Sequence, residues 1–557
     1  MRQEDEETVF LGESTSLTYL HGTHTSPSTL ATPDQGFVYR IPEAVRAQNS
    51  TLEWEIERKQ ARLKLLHAEG AFSFPAKTAT DSLFKAYFEW FHVCFPVLDE
   101  PDIWQQYSQG TLPPLLFQAI LFIGVMHCAE DELPSVGLGC RQRAKYTLYN
   151  RAKDLFDAEI EPKSITVIQS VFLMSFWRAG ALLQKDTRHW LAVAVSLAQT
   201  KGLHRSSQNT NGEDINLKLR KRLWWSIYIR ERQCAAALGL PNRVRDEDCD
   251  VEALIEQDFQ YAFESPTSSS HVNKSISYMI GMVELSRMLG RIIHRDFLPL
   301  KRLTFAEREE TKNTLFSWRK SLPLCMRPSG DGLEGGSGFL ASMLNLAYNN
   351  LLILLFRSGC SSTEPPSSPV DGQVAILAAA RNTSIIENML IEGQICHGQI
   401  HVITNVFNTL CIHTLNLKHL QGGRRFVAEQ RAKLCLVSLQ ELQKTWEFKN
   451  WILQLFFQYL DQPTAQRLQL GDDGGETRSS SNDSHIPRAG NPPLDNQHMW
   501  HQQLQDMPSD SPPAFALAIE SQDIGQFLHS QIENRFVNGE GGAIDWYMAD
   551  LFHTSQS

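Results

Sequence analysis

The sequence has 557 residues, of which 42% are hydrophobic and 21% are charged, and its 52 basic and 63 acidic side chains give a formal net charge of −11. This apolar content is enough to bury a large core, which excludes a wholly disordered chain. The net acidic balance argues against a protein that coats nucleic acid through bulk charge, although it leaves room for a small basic module.

The N-terminal part of the chain predicts a linker followed by a helix. Residues 1–50 are rich in Ser, Thr, Gly and Pro and have no sustained period, which is typical of a flexible, disordered linker. In residues 51–79 the apolar positions, such as Ile56 and Leu63, recur at helical spacing among charged residues. We therefore expect an amphipathic helical lead-in here.

The central part of the chain predicts a large all-α domain. Residues 80–462 contain a series of long apolar segments that are separated by Pro and Gly, with few alternating stretches and no βαβ rhythm. Residues 463–513 are too polar to form a packed core and predict a disordered tail. The final segment, 514–557, recovers hydrophobic character among acidic residues.

The cysteines and the N-terminus indicate an intracellular protein. The ten cysteines form no CxxC element, and most lie inside apolar runs, which predicts reduced and mostly buried thiols. The first residues are acidic and have no apolar signal core. The longest apolar run, residues 115–129, is too short and too mixed to span a bilayer. We therefore expect a soluble protein without a membrane partner.

Signatures of enzymes are mostly absent, so the sequence predicts a protein that is not an enzyme. It has no GxGxxG at a helix start, no phosphate-binding loop, no HExxH and no GxSxG. One remote alternative is a helical Mg²⁺-dependent enzyme that uses Asp246, Asp248 and Asp250, because clustered carboxylates hold Mg²⁺. No second acidic motif faces them, and capping or pairing with Arg243 and Arg245 is the simpler interpretation.

Two other clusters have both a functional and a structural interpretation. His397 and His401 are four residues apart and could ligate zinc from one helical face, but no third ligand is evident. A basic run precedes an aromatic stretch and could contact nucleic acid or an import receptor; it consists of Lys218, Arg220, Lys221 and Arg222, followed by Trp224, Trp225 and Tyr228. The helical spacing of the aromatic residues favours core packing, with Arg222, Arg230 and Arg232 on the solvated side or paired with Glu231 and the acidic cluster.

The C-terminal segment suggests a transcriptional activation peptide. Aromatic and aliphatic side chains that acidic neighbours keep exposed can fold as a short helix on a coactivator groove. The residues that we expect to form it are Ile544, Asp545, Trp546, Tyr547, Met548, Asp550, Leu551 and Phe552. The alternative is a terminal helix that docks on the parent domain.

The stretch RKRLWWSIYIRERQCAAALGLPNRVRDEDCDVEAL, which begins at Arg220, resembles the signature of the regulatory "middle homology" domain of fungal zinc-cluster transcription factors. Further similarity lies at 84–104, 189–205 and 344–357, and the likeness covers roughly residues 80–460. FLGESTSLTYL and DWYMADLF look most like the cutinase and acetamidase regulator branch. The signature residues, for which we expect a structural role, are Arg222, Trp224, Trp225, Tyr228, Arg230, Arg245, Asp246, Asp248, Cys249 and Asp250.

The resemblance implies a nuclear regulator of a catabolic or secondary-metabolite gene set that is often dimeric and responds to an inducer. Its partners would be promoter DNA and the transcription machinery. The family's DNA-binding module uses six cysteines that hold two zinc ions, and the first cysteine here is Cys94. We therefore assign no metal-ligating or catalytic residue and expect zinc only if an upstream cysteine cluster exists. Otherwise the protein would work through a DNA-binding partner or as a dominant-negative competitor.

Overall fold

The computed structural model describes residues 8–12, 15–16, 37–40, 53–177, 185–206, 215–264, 270–296, 303–327, 338–360, 369–417, 420–446 and 451–468. The N-terminal elements are strands β1 (Thr8–Leu11) and β2 (Phe37–Arg40) and helix α1 (Glu53–Ala68). The next helices are α2 (Lys77–Ala86), α3 (Glu100–Gln109), α4 (Pro114–His127), α5 (Leu133–Val136), α6 (Arg141–Asp157), α7 (Ser164–Met174), α8 (Thr187–Thr200) and α9 (Ile215–Leu238).

The remaining helices are α10 (Ser270–Asp296), α11 (Phe305–Ser321), α12 (Phe339–Phe356), α13 (Pro369–Ile391), α14 (His401–Leu417), α15 (Gly422–Trp446), α16 (Trp451–Gln458) and α17 (Gln462–Leu468). The prediction of an all-α domain is confirmed. Helix α17 continues past residue 462, where the sequence suggested the end of the domain. The two short strands are the only ones among the described residues.

Helix α4 forms the centre of the N-terminal half. Nearly all of its side chains are buried, and it packs against α2, α6 and α7. Gly124 permits the close approach of α2, because a Cβ at this position would lie 2.4 Å from the carbonyl oxygen of Leu83. The mainly apolar run that is too short for a bilayer is therefore a core helix.

Helix α12 has the same role in the C-terminal half, where it packs against α10, α13 and α14. Among the described residues, α12 and the part of α13 from Gly372 to Ile391 are long and apolar enough to cross a membrane by length and composition. Of the 18 residues of α12, 83% are buried within the fold. Its apolar surface is thus covered by protein, as expected for a core helix.

A tight corner after α2 connects distant parts of the fold. Tyr87–His92 forms a π-helical turn, and buried polar groups there reach other segments. His92 Nε2 lies 2.7 Å from the carbonyl oxygen of Ala262, and the Gln169 amide donates to the carbonyl of Val97 at 2.7 Å. This corner thereby holds the loop that follows α9 against the N-terminal helices.

The strand pair lies in the segment that the sequence predicted as a linker. The strands are antiparallel, with Thr8 opposite Arg40 and Leu11 opposite Phe37. Phe10 packs edge-on against His204, with ring centroids 5.4 Å apart. It also covers Gly202, whose φ of +68° and lack of a side chain leave room for the phenyl ring. At least this part of the first 50 residues is attached to the helical domain.

Candidate functional site

Helix α9 is buried along most of its length although its sequence is rich in arginine. Arg222, Arg230 and Arg232 are only 1%, 3% and 3% exposed. The expectation that these side chains lie on a solvated face is therefore wrong. Pairing with the acidic cluster is confirmed for Arg232, whereas Arg222 pairs with an acid outside it. Trp224 and Tyr228 are buried, as their spacing predicts.

Arg222 anchors the start of α9 to the corner that precedes α3. Its guanidinium forms a salt bridge with Asp99 and a hydrogen bond with the carbonyl oxygen of Leu98 at 3.4 Å. Asp99, in the sequence FPVLDE, has a side chain that is only 14% exposed. A buried guanidinium requires such a partner because isolated charges are costly to remove from water.

Arg232 and Tyr228 hold Asp246 in a shared network. The Arg232 guanidinium donates to Asp246 Oδ1 at 2.8 Å and to the Tyr228 hydroxyl at 3.2 Å, and that hydroxyl donates to Asp246 at 2.6 Å. Burial and the hydrogen bond to Asp246 raise the pKa of Tyr228, although Arg232 opposes the shift. The absence of a side chain at Gly290 makes room for Arg232, because a Cβ there would lie 2.8 Å from its Nε.

Arg230 has a different environment. Its guanidinium lies over the ring of Phe176, 4.8 Å from the centroid, in a cation–π contact. Its neighbour Glu231 is buried and accepts the backbone N–H of Arg243 at 2.7 Å. Burial raises the pKa of Glu231, and this hydrogen bond opposes the rise.

The acidic loop after α9 does not form a metal site. Asp248 pairs with Arg245 at 2.6 Å on the surface. Asp250 accepts hydrogen bonds from Arg205 at 2.9 and 3.1 Å and from the backbone N–H of Ser206 at 2.7 Å. The described residues contain no group of three His, Cys, Asp or Glu side chains that could hold a metal ion. The three aspartates that sequence reasoning considered for Mg²⁺ thus bind three different arginines.

These contacts set the pKa values in the loop. The hydrogen bond from Arg245 lowers the pKa of Asp248. Burial raises the pKa of Asp250, but the bonds from Ser206 and Arg205 outweigh it, so the net shift is downward. Burial and the nearby carboxylates raise the pKa of Cys249 to about 12, which makes this thiol a poor nucleophile.

The tryptophans of the signature connect the loop to the core. Trp225 Nε1 donates to the carbonyl oxygen of Glu252 at 3.0 Å, and Arg287 lies over its ring at 5.5 Å. Trp224 is fully buried, with its ring centroid 5.7 Å from that of His204. The signature residues thus make several separate contacts, which attach α9 and the loop that follows it to neighbouring parts of the fold.

The other two clusters are also occupied by structural contacts. His397 lies in a 3₁₀ turn and stacks on Trp90 at 3.8 Å, whereas α14 begins at His401. The expectation that both histidines share one helical face is therefore wrong, because Gly398 interrupts the helix. In the basic run, Lys221 pairs with Asp258 at 2.8 Å and Lys218 binds Gln260 at 2.9 Å.

Residues 84–322 match the family described as "Fungal specific transcription factor domain". This region therefore resembles a fungal transcription factor domain. The predicted resemblance is thus confirmed, and α9 with its loop lies inside the matched region. The segment 544–552 lies outside the described residues.

Several curated proteins are similar to this chain over the matched region and beyond it. "Cutinase transcription factor 1 alpha" of Fusarium vanettenii is 29% identical over 80% of this chain and 49% of its own length. "Acetamidase regulatory protein" of Aspergillus fumigatus is 27% identical over 72% of this chain and 51% of its own. "Transcriptional activator protein acu-15" of Neurospora crassa is 22% identical over 64% and 40%.

The chain thus spans about half the length of the curated relatives that it matches. The matched domain and these relatives are transcription factors and not enzymes, in agreement with the prediction from the missing enzyme motifs.

Sequence reasoning missed Asp99, Arg205 and Gly290. Asp99 and Arg205 supply partners for signature residues, and Gly290 makes space for Arg232. The Asp99–Arg222 contact joins positions 123 residues apart, so no local pattern announces it. A buried arginine does imply an acidic partner, but only the fold identifies which one.

Proposed function

We propose that the chain is the regulatory part of a nuclear transcription activator that controls a catabolic or secondary-metabolite gene set. The observation that supports this proposal most directly is the match to a fungal transcription factor domain across α9 and the loop that follows it. The relatives named for cutinase and acetamidase favour the catabolic choice, since both names refer to degradative enzymes.

In this proposal DNA is contacted by a zinc module outside the present sequence or by a partner protein. The three arginines Arg222, Arg230 and Arg232 are buried and therefore unable to reach DNA phosphates. Lys221 is paired with Asp258. Phosphate contacts dominate the affinity of DNA-binding proteins, and these four side chains are not available to make them.

The C-terminal segment is the proposed activator. Fusion of the whole chain to an unrelated DNA-binding domain should activate a reporter gene in a fungal host. Trp546→Ser and Phe552→Ser should each reduce the reporter signal about tenfold or more, because large aromatic side chains dominate such interfaces. His553→Ser is the matched control and should leave the signal unchanged at equal protein level.

An unchanged signal in both aromatic variants would contradict the activation segment and favour a terminal helix that docks on the domain. If the unmodified fusion gives no signal, the alternative of a dominant-negative regulator predicts that the chain lowers transcription driven by a complete relative.

For the dimer contact we propose helix α1 with an antiparallel copy of itself. Most of α1 is exposed, including Ile56 (44%) and Leu63 (38%), which lie seven residues apart on one face. The first turns carry Glu53, Glu55 and Glu57, Arg58 and Lys59 lie at the middle of the helix, and the C-terminal half carries Arg62 and Lys64. An antiparallel arrangement brings opposite charges together and also aligns the helix dipoles favourably.

Light scattering on the purified chain should therefore give a dimer mass. The double variant Glu53→Lys/Glu57→Lys should weaken the dimer, and adding Arg62→Glu/Lys64→Glu should restore it. A dimer that is insensitive to both changes would show that another surface forms the contact, and a monomeric wild-type chain would reject this proposal.

A further inference from the structure

A small cavity with a mostly apolar wall lies where helices α9, α10, α12 and α14 meet. Its volume is about 30 Å³, and its wall combines apolar side chains with the polar groups of Gln233, Asn350, His401 and Asn405. A single water needs about 10–15 Å³ of such volume. The cavity is therefore large enough for about two waters, or for one molecule of two to four non-hydrogen atoms.

Several polar atoms at this cavity lack a partner among the described residues. They are the Oε1 and Nε2 atoms of Gln233, both ring nitrogens of His401 and the Nδ2 atom of Asn405. The three side chains are only 8%, 6% and 3% exposed. His401 lies near the Met343 carbonyl without forming a well-aligned hydrogen bond.

Buried polar groups are almost always satisfied in folded proteins, because an unpaired one retains its full desolvation penalty. Asn350 illustrates the usual case, since its Oδ1 accepts a hydrogen bond from Asn408 at 2.9 Å. The unpaired atoms of Gln233, His401 and Asn405 thus offer hydrogen bonds to an occupant, either water or a small molecule, that can both donate and accept.

The cavity is electrically neutral. No Asp, Glu, Lys or Arg belongs to its wall in the described part of the chain. Burial, and then the positive charge of Arg230, lowers the pKa of His401 to about 3. Its imidazole is consequently neutral and offers one donor and one acceptor. A charged ligand would lose its hydration without gaining a counterion in the wall, which disfavours it strongly.

We propose that this cavity is a binding site for a small uncharged molecule with adjacent hydrogen-bond donor and acceptor groups, the chemistry of a primary amide. Gln233 follows Arg232, which holds Asp246 in the loop. An occupant bound to Gln233 therefore contacts the helical turn that anchors the signature loop. Ligand binding in the cavity does not depend on the proposed function. Only an effect of the ligand on transcription rests on that function.

Formamide is a suitable probe because it has three non-hydrogen atoms and both required groups. Ligand efficiency limits predict a Kd of about a millimolar at best for such a molecule. Saturation-transfer NMR on the purified full chain should give a saturable signal in this range. N,N-dimethylformamide lacks the N–H donors and is larger, so it should bind at least about tenfold more weakly.

Two cavity variants and one control locate the site. Gln233→Leu removes two polar atoms, and Ala347→Leu fills the cavity without removing any, so each should weaken formamide binding by about tenfold. His413→Phe is the control, because His413 is a buried histidine on the same helix that binds Thr383 and does not line the cavity. Circular dichroism identifies any variant that fails to fold. If Gln233→Leu does not fold, Ala347→Leu still tests the proposal.

Absence of saturable formamide binding, or equal binding by the wild type and the folded cavity variants, would overturn the proposal and leave ordered water as the occupant. Equal binding of the dimethylated amide would also overturn it. A reporter that fails to respond while formamide binds as expected would reject the regulatory role and retain the site.

Discussion

Helices α4 and α9 are both buried, but different interactions compensate for their burial. The sequence of α4 is almost entirely apolar, and it contacts α2, α6 and α7 through hydrophobic side chains. Helix α9 buries three arginines, two of which form ion pairs with acids from other segments. The comparison teaches that a charged sequence pattern can belong to a core helix when the fold supplies partners.

The largest expected effect comes from breaking an ion pair of α9. Asp99→Ala leaves the guanidinium of Arg222 buried without its carboxylate. Removal of one partner of a buried pair typically costs about 3–5 kcal/mol of unfolding free energy. Urea unfolding of the purified chain, followed by circular dichroism, measures this difference.

The double variant Asp99→Leu/Arg222→Met is the control, because it replaces the pair by apolar side chains and makes this part of α9 resemble α4. We expect it to recover most of the lost stability, since apolar replacements of buried pairs are often neutral. If the double variant is as unstable as Asp99→Ala, the pair contributes more than charge compensation.

The same contrast explains what the sequence could predict. The apolar runs at 115–129 and 344–357 correctly indicate buried helices, because their burial depends on composition alone. The solvated face that the sequence allowed for Arg222, Arg230 and Arg232 is wrong, because their burial depends on Asp99, Phe176 and Asp246. The cavity is formed by four helices that are distant in sequence, and no local pattern indicates it.

A second prediction concerns the pH dependence of stability, because a buried histidine at the end of α4 and another beside α9 stay neutral in the folded chain. Burial, followed by His397 and nearby cations, lowers the pKa of His127 at the end of α4 well below 6.5. Burial and Arg230 lower that of His401, beside α9, to about 3. Below about pH 6.5 the unfolded chain binds protons that the folded chain does not, so stability falls as the pH decreases.

Each such histidine should lower the unfolding free energy by about 2 kcal/mol between pH 7 and pH 5. His127→Phe should remove the contribution of that residue, and urea unfolding at both pH values measures it. An unchanged pH dependence in this variant would contradict a neutral, buried His127. Measurements down to pH 5 remain above the range in which carboxylates with lowered pKa values become protonated.

The smallest expected effect concerns the exposed rim of the loop that follows α9. Asp250 binds Arg205 and the backbone N–H of Ser206, but its side chain is 44% exposed, so water screens the pair. Asp250→Ala should therefore cost at most about 1 kcal/mol, well below Asp99→Ala, in the same urea experiment. Asp250→Asn is the matched control, because it retains the size of the side chain and one hydrogen-bond acceptor. A loss as large as that of Asp99→Ala would mean that the loop depends on its rim as much as on its buried pairs, and the distinction between the two would then disappear.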